Sequence, residues 1–345
     1  MPNPRGRLIL ACAFIAAAGL SACGSNSGTQ PNDGAGTVVL SPLSGKPVTS
    51  ADQSVLVVKV ENTSAARPHI GLSSADIVYV EQVEGGISRF AVVFSSTLPG
   101  KVGPIRSARI TDPDLVAQFG HVAFAYSGVQ PKMVPVLAAA NMTLLREVRS
   151  KAWLRDKNRS APHNLFGVPE KLLQSAKEKG TPIAVAHDMG WVFDAAVPEG
   201  GKPVTQVVAP YPAENITIDF VDGQWRLTSG RDVLKDGSGT LHPATILIQF
   251  VVQHASSFHG HNGSPTPYAE TIGSGSALLL RDGRLWQIKW SRKDAAAPTA
   301  YTDDSGQTVH FAPGGMWVML MDKSRKVSVA YAASTASAAA STPAP

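Results

Sequence analysis

The sequence predicts an α+β or α/β protein, with an N-terminal mixed α/β domain followed by a mostly antiparallel β domain. Three observations carry this expectation. From Val55 to about Gly190, strand-like apolar runs alternate with segments bearing helix start and stop signals, the pattern of a layered α/β structure. After about Lys202 the helix signals cease and apolar runs recur at short intervals. Asp222-Gly223 and Asp282-Gly283 each lie between two such runs, the strongest short-range hairpin signal.

In chain order, Val55–Val60, Ile77–Val80 and Phe90–Phe94 are compact apolar runs expected as strands. Thr111-Asp112-Pro113 reads as a helix start, with Asp112 placed to cap free backbone N–H groups and Pro113 suited to the first turn. That helix runs to about Phe119 and stops at Gly120. His121–Tyr126 is a further strand, and Pro169–Lys179 a helix ended by Gly180. In the second half, Val204–Val208, Ile216–Phe220, Ile246–Val252, Ala277–Leu280, Leu285–Trp290 and Met316–Met321 are the expected strands. The map is therefore 42–198 for the α/β domain and 199–325 for the β-rich domain, with Glu199-Gly200-Gly201 at the boundary. Residues 332–345 are Ala/Ser/Thr/Pro and are expected to be disordered.

The N-terminus has its own signature. Arg5 and Arg7 precede an apolar run from Leu8 to Leu20, the make-up of a secretory signal and too short for a spanning helix. Residues 1–22 are read as that signal. Leu20-Ser21-Ala22-Cys23 resembles the lipobox of bacterial lipoproteins. The resemblance implies a diacylglyceryl group on the Cys23 sulfur, cleavage before Cys23 and acylation of the new amino group. Residues 23–41 then form the lipidated cysteine and a flexible Gly/Ser/Asn/Thr-rich tether. Cys12 leaves with the signal, so the mature chain has one cysteine and no intramolecular disulfide. Loss of Arg5 and Arg7 takes the formal charge from +5 to +3, a mild balance that does not argue for nucleic acid. The expected partners are the membrane, through the lipid anchor, and a cell-wall polymer or envelope protein at the extracytoplasmic face.

A cluster in the first half is not an obvious requirement of folding. Gly103-Pro104-Ile105-Arg106-Ser107-Ala108-Arg109 sets two arginines three apart ahead of the predicted helix. Around it in sequence stand Ala66-Arg67-Pro68, Glu84-Gly85-Gly86, Arg89-Phe90 and Pro162-His163-Asn164. With Pro42-Leu43-Ser44-Gly45, Ala75-Asp76-Ile77-Val78-Tyr79, Trp290-Ser291-Arg292 and Pro313-Gly314-Gly315-Met316-Trp317, these strings resemble the YerB-like bacterial lipoproteins of unknown function. The resemblance spans roughly residues 40–325 and departs from the family's pattern at Ala125-Tyr126-Ser127-Gly128. It implies a lipoprotein with a two-part architecture and no established reaction.

Chemically, Arg106 and Arg109 are planar forks of fixed charge suited to carboxylate or phosphate, with Arg89, Arg67, Asn164 and Ser107 as further candidate ligand-binding residues. A helix N-terminus after Arg109 would add its own preference for anions. His163 is a candidate acid or base near neutral pH, with Glu81 or Glu84 as the matching carboxylate. The alternative is an internal ion-pair network holding loops, and the residues alone leave both readings open. The basic run from Arg146 to Arg159 reads as solvated surface.

His254, His259 and His261 lie close together in a glycine-containing stretch read as a loop, a weak metal-ligand pattern lacking a completing cysteine or carboxylate. No metal or cofactor is expected. Trp225, Trp286, Trp290 and Trp317 fall on predicted strands and are expected in the core. Gly-x-Ser-x-Gly, P-loop, His-Glu-x-x-His and dinucleotide patterns are absent. The leading expectation is a lipid-anchored extracytoplasmic protein binding an anionic envelope ligand through an arginine-rich cleft. The alternatives are an enzyme acting on cell-wall polymer by His/Glu chemistry and a structural or assembly lipoprotein.

Overall fold

The computed structural model describes residues 38–260 and 263–333. Cys23, the signal, the tether up to residue 37, His261 and the tail from residue 334 lie outside the described residues. The first half supplies β1 (Leu56–Glu61), β2 (Ile77–Gln82), β3 (Ser88–Phe94), β4 (Val122–Tyr126) and β5 (Met142–Arg146). β3 lies between β1 and β2 and is antiparallel to both. β1, β4 and β5 then run parallel. Three short helices accompany them: α1 (Asp112–Ala117), α2 (Val134–Ala139) and α3 (Pro169–Lys177). The sequence signalled α1 and α3 by proline in the first turn. It gave no comparable signal for β5, whose apolar run is only Met142 to Leu145, broken by Thr143.

The second half is mostly antiparallel, as expected. Strands Thr245–Val251, Gly273–Arg281, Arg284–Arg292, Lys202–Pro210, Asn215–Val221 and Gln224–Ser229 follow one another across the sheet. Met316–Asp322 runs parallel to both Thr245–Val251 and β2, so one sheet passes through both halves of the sequence. Both predicted turns form with left-handed backbone at each central residue, Asp222 (φ 52°) with Gly223 (φ 78°) and Asp282 (φ 49°) with Gly283 (φ 69°). This is the conformation that two-residue hairpin loops of type I′ require. The histidine-containing stretch read as a loop is instead a hairpin, Gln253–His259 paired with Pro265–Ala269.

Alternation along the strands divides the side chains between two cores. Val58, Val60, Val80, Phe90 and Val92 pack on one face. Val57, Tyr79, Ala91 and Val93 pack on the other, beneath Leu115, Val116 and Phe119. Trp225, Trp290 and Trp317 are buried in these cores. Several family strings prove to be scaffold: the buried Asp76 carboxylate accepts from the Ser41, Ser44 and Ser96 hydroxyls and from the Ser95 and Ser96 amides. That hub ties the Pro42–Gly45 turn to the start of β2, and its five donors offset the cost of burying the carboxylate.

Candidate functional site

The segment 102–106 is the organiser of the site. Gly103 adopts φ 149°, and a Cβ there would come within 2.9 Å of the Leu165 carbonyl oxygen and 2.8 Å of the Phe166 ring. Only glycine permits that close approach. The Ile105 amide donates to Leu165 O (2.6 Å), while Val102 and Gly167 exchange two hydrogen bonds of 2.9 Å. On its other side the segment bonds to β1, through Glu61 N to Pro104 O and Arg106 N to Lys59 O. Residues 162–167 are thereby brought beside the end of β1. A second clamp, Ser127 N to Arg106 O and Ala108 N to Gly128 O, ties Arg106–Ala108 to the Tyr126-Ser127-Gly128 string.

The sheet register collects charge at one end of the second core face. Glu61 and Glu81 both pair with Arg89, one from each side, so the three side chains emerge on the same face. Lys59, two residues before Glu61, shares that face and is fully buried. Its ammonium donates to Glu81 and, at 2.7 Å, to Asp112. Asp112 does not cap α1 as predicted: its carboxylate is taken by Lys59 and by the Arg109 backbone N–H. α1 has six residues with an acidic side chain at its start, so it contributes no anion site. Burial and the nearby Asp112 push Glu81 up to about 7 despite Lys59.

Beside this strip lies a cavity of about 610 Å³ lined by Glu84, Arg89, Ser107, Arg109, Gln130 and His259 among others. Arg109 is held internally, its Nε (2.8 Å) and Nη2 (2.6 Å) both on Glu84 Oε2 and its Nη1 on Ala108 O. Burial alone would raise the Glu84 pKa, but Arg109 and the Thr266 hydroxyl hold it below the ordinary carboxylate value. Arg89 is different. It is 4% exposed, its Nε has no partner, and its one hydrogen bond is a long 3.4 Å from Nη1 to Ser107 O. Burial, then Arg109 and Arg106, push its pKa down to about 9, which leaves it charged at neutral pH. Glu84 and Glu61 act on the Arg89 charge from nearby, but neither carboxylate is hydrogen-bonded to its guanidinium. Gln130 Oε1, also buried, has no partner either.

His163 meets a carboxylate, and it is neither Glu81 nor Glu84. Its Nδ1 donates to Glu61 Oε2 at 2.8 Å. Glu61 is 1% exposed and its Oε1 accepts from Thr63 (3.0 Å) and faces Arg106 Nε at 3.4 Å. Arg106 Nε makes no hydrogen bond. The two arginines of the motif thus separate, Arg109 fully engaged by Glu84 and Arg106 loosely paired with Glu61. Arg67 is occupied elsewhere, by Asn62, Glu214, Ser229 and Asp232, and Asn164 accepts from Arg155 Nη1 at 2.8 Å. His254 faces Glu270 at 3.5 Å and packs at a tilt against the Tyr268 ring, while His259 lines the cavity. Among the described residues no three His, Cys, Asp or Glu side chains group as metal ligands.

Glu61 and Gln130 were not among the candidate residues. Glu61 carried a readable signal: Lys59 and Glu61 stand at alternate positions of an otherwise apolar strand, so both charges must enter the buried face. Nothing in the sequence marks Gln130.

These features define a two-part protein with a charged cavity on a shared sheet. The description "Protein of unknown function (DUF3048) N-terminal domain" matches residues 42–182, and its C-terminal counterpart matches residues 207–318. The chain belongs to this family. The relative "Putative lipoprotein YerB" of Bacillus subtilis (strain 168) is 26% identical over 274 residues, which is 77% of this chain and 80% of the relative. The crystal structure of the YerB protein from Bacillus subtilis matches with a TM-score of 0.72 and 21% identity, over 85% of this chain and 99% of that one. That likeness is one of fold.

Proposed function

We propose that this chain is a lipid-anchored protein of the extracytoplasmic face that binds an anionic envelope ligand in the Arg89/Arg109 cavity. The observation that carries the reading is Arg89, buried at 4% exposure with its Nε unpaired in a cavity wall. A buried guanidinium short of hydrogen bonds costs stability, and an incoming anion offers it charge-assisted ones. The anchoring half of the proposal rests on the Leu20–Cys23 lipobox resemblance and on the relative's name. A screen of the purified protein against wall fragments and small anions by thermal shift tests the reading, because a ligand of the native state raises the melting temperature. A rise confined to anionic compounds supports it; equal response to neutral and anionic compounds refutes it.

A second reading, acid–base chemistry on a wall polymer, is favoured by the 2.8 Å Glu61–His163 bond. A buried carboxylate holding Nδ1–H leaves Nε2 as the proton acceptor. Turnover of wall fragments that disappears in His163→Gln supports this reading, and turnover that survives the change removes it.

A further inference from the structure

Arg89, Ser107 and Gly128 form one contiguous stretch of the cavity wall. Arg89 Nη1 points at Ser107 O over 3.4 Å, and Ser107 Oγ lies 3.5 Å from where a Gly128 side chain would begin. Gln130 follows two residues on and lines the same space of about 610 Å³. Among the described residues, Arg89 Nη2, Ser107 Oγ and Gln130 Nε2 take part in no hydrogen bond, and none of the three is sealed from solvent. His259 adds an imidazole to the lining. Glu84 also lines the cavity, but its carboxylate is covered on both oxygens, Oε2 by Arg109 and Oε1 by Thr266. Glu61 acts on the Arg89 charge from outside the lining. The open groups of this stretch can all donate: a guanidinium nitrogen, a hydroxyl and a carboxamide nitrogen.

The kind of anion follows from what the two arginines have already spent. A carboxylate is gripped best by two nitrogens of one planar guanidinium. Arg89 Nε is buried and Nη1 is turned to Ser107 O, which leaves Nη2 as its open nitrogen. Arg109 has all three nitrogens engaged by Glu84 and Ala108. Single donors from three different side chains suit an anion with three terminal oxygens. We infer that the ligand presents a phosphoryl group of that kind, a phosphate monoester or free phosphate, to Arg89 Nη2, Ser107 Oγ and Gln130 Nε2. This rests on the anion-binding reading above and narrows it to a ligand class. Ile87, Val129 and Pro131 also line the cavity, an apolar surface for the organic part of an ester.

Titration of the full chain, purified in mild detergent, compares glycerol 3-phosphate, inorganic phosphate, the diester glycerophosphoglycerol and the carboxylate glycerate. Glycerol 3-phosphate should bind about tenfold more tightly than glycerate or the diester, the order expected for one buried hydrogen bond to a charged group. Ser107→Ala should weaken glycerol 3-phosphate about tenfold, with the ligand-free melting temperature unchanged. A side chain at Gly128 meets nothing nearer than Ser107 Oγ at 3.5 Å, so Gly128→Leu should fold, fill the cavity and abolish binding. Inorganic phosphate binding as tightly as the ester supports the class and makes the free anion the source, whereas tighter binding of the ester makes it an organic phosphate. Equal affinity for the ester and either glycerate or the diester overturns the inference and leaves the anion-binding reading standing. Full affinity for glycerol 3-phosphate in Ser107→Ala does the same. Binding of none of the four overturns the inference, and the screen above decides the reading separately. Undiminished binding by folded Gly128→Leu places the anion outside this cavity and overturns both.

Discussion

Glu61 and His163, 102 residues apart in sequence, are joined by a 2.8 Å hydrogen bond between Oε2 and Nδ1. The bond exists because Ile105 is held on one side by β1 and on the other by Leu165. It fixes the imidazole with its proton on Nδ1 when neutral. It also makes Glu61 the shared partner of His163, Thr63 and Arg106. Glu61→Ala is therefore expected to abolish the single-tautomer signature of His163 in nitrogen-15 NMR. The melting temperature should also fall by several degrees, since a buried carboxylate with two hydrogen bonds and an ion pair is lost. An unchanged tautomer would show that the bond does not form in solution.

The Arg106-Arg109 motif should respond unequally to loss of its forks. Arg109→Lys removes the two-nitrogen grip on Oε2 of a mostly buried Glu84 and is expected to cost about 1–3 kcal/mol. Arg106→Lys, on a side chain 25% exposed and 3.4 Å from Glu61, should change stability by roughly 0.5 kcal/mol or less. Denaturant melts of the two variants check this ordering, and equal destabilisation would contradict it.

Glu81 gives the fold a pH signature. Its pKa is raised from an ordinary 4.5 to about 7 by burial and then by Asp112, against the opposing pull of Lys59. The folded state therefore holds a proton between these pH values that the unfolded chain does not. Stability from this group is fully present below about 4.5 and is lost as pH rises through about 7. Glu84, held below its ordinary value, contributes with the opposite sign and only at more acidic pH. Glu81→Gln is expected to flatten the decline of stability between pH 5 and 8, measured by denaturant titration across that range. A slope identical to that of the native protein would show that Glu81 is not its source.

Membrane attachment should depend on Cys23 alone. Cys23→Ala is expected to move the protein from the membrane to the soluble fraction on cell fractionation, with its melting temperature unchanged. Full retention in the membrane pellet would remove the lipid-anchor proposal.

Most of the architecture was legible because it rests on local chemistry: apolar runs, first-turn prolines, and the Asp222-Gly223 and Asp282-Gly283 turns. The site was legible in part. The sequence pointed to Arg89, Arg106, Arg109 and His163 as a group, and the fold brings them to one charged strip around Glu61 and Glu84. It misassigned the partner of His163 and the role of Asp112, because both depend on which strand lies beside β1. That register is set by long-range pairing, and periodicity cannot report it. Whether Arg67 and Arg109 were free or internally bound was equally unreadable, since the deciding residues Glu214, Asp232 and Glu84 come from distant segments.

Arg89, in the proposed function, is kept for a ligand at the expense of stability. The most direct test is the melting temperature of Arg89→Met with and without the anions that respond in the screen. Methionine keeps the length and apolar packing of the stem and removes a buried charge whose Nε has no partner. The ligand-free variant is expected to melt at or above the native temperature, by up to a few degrees, and no longer to respond to anions. A variant that melts several degrees lower and keeps the full anion response would contradict it, because Arg89 would then be part of the scaffold rather than the site.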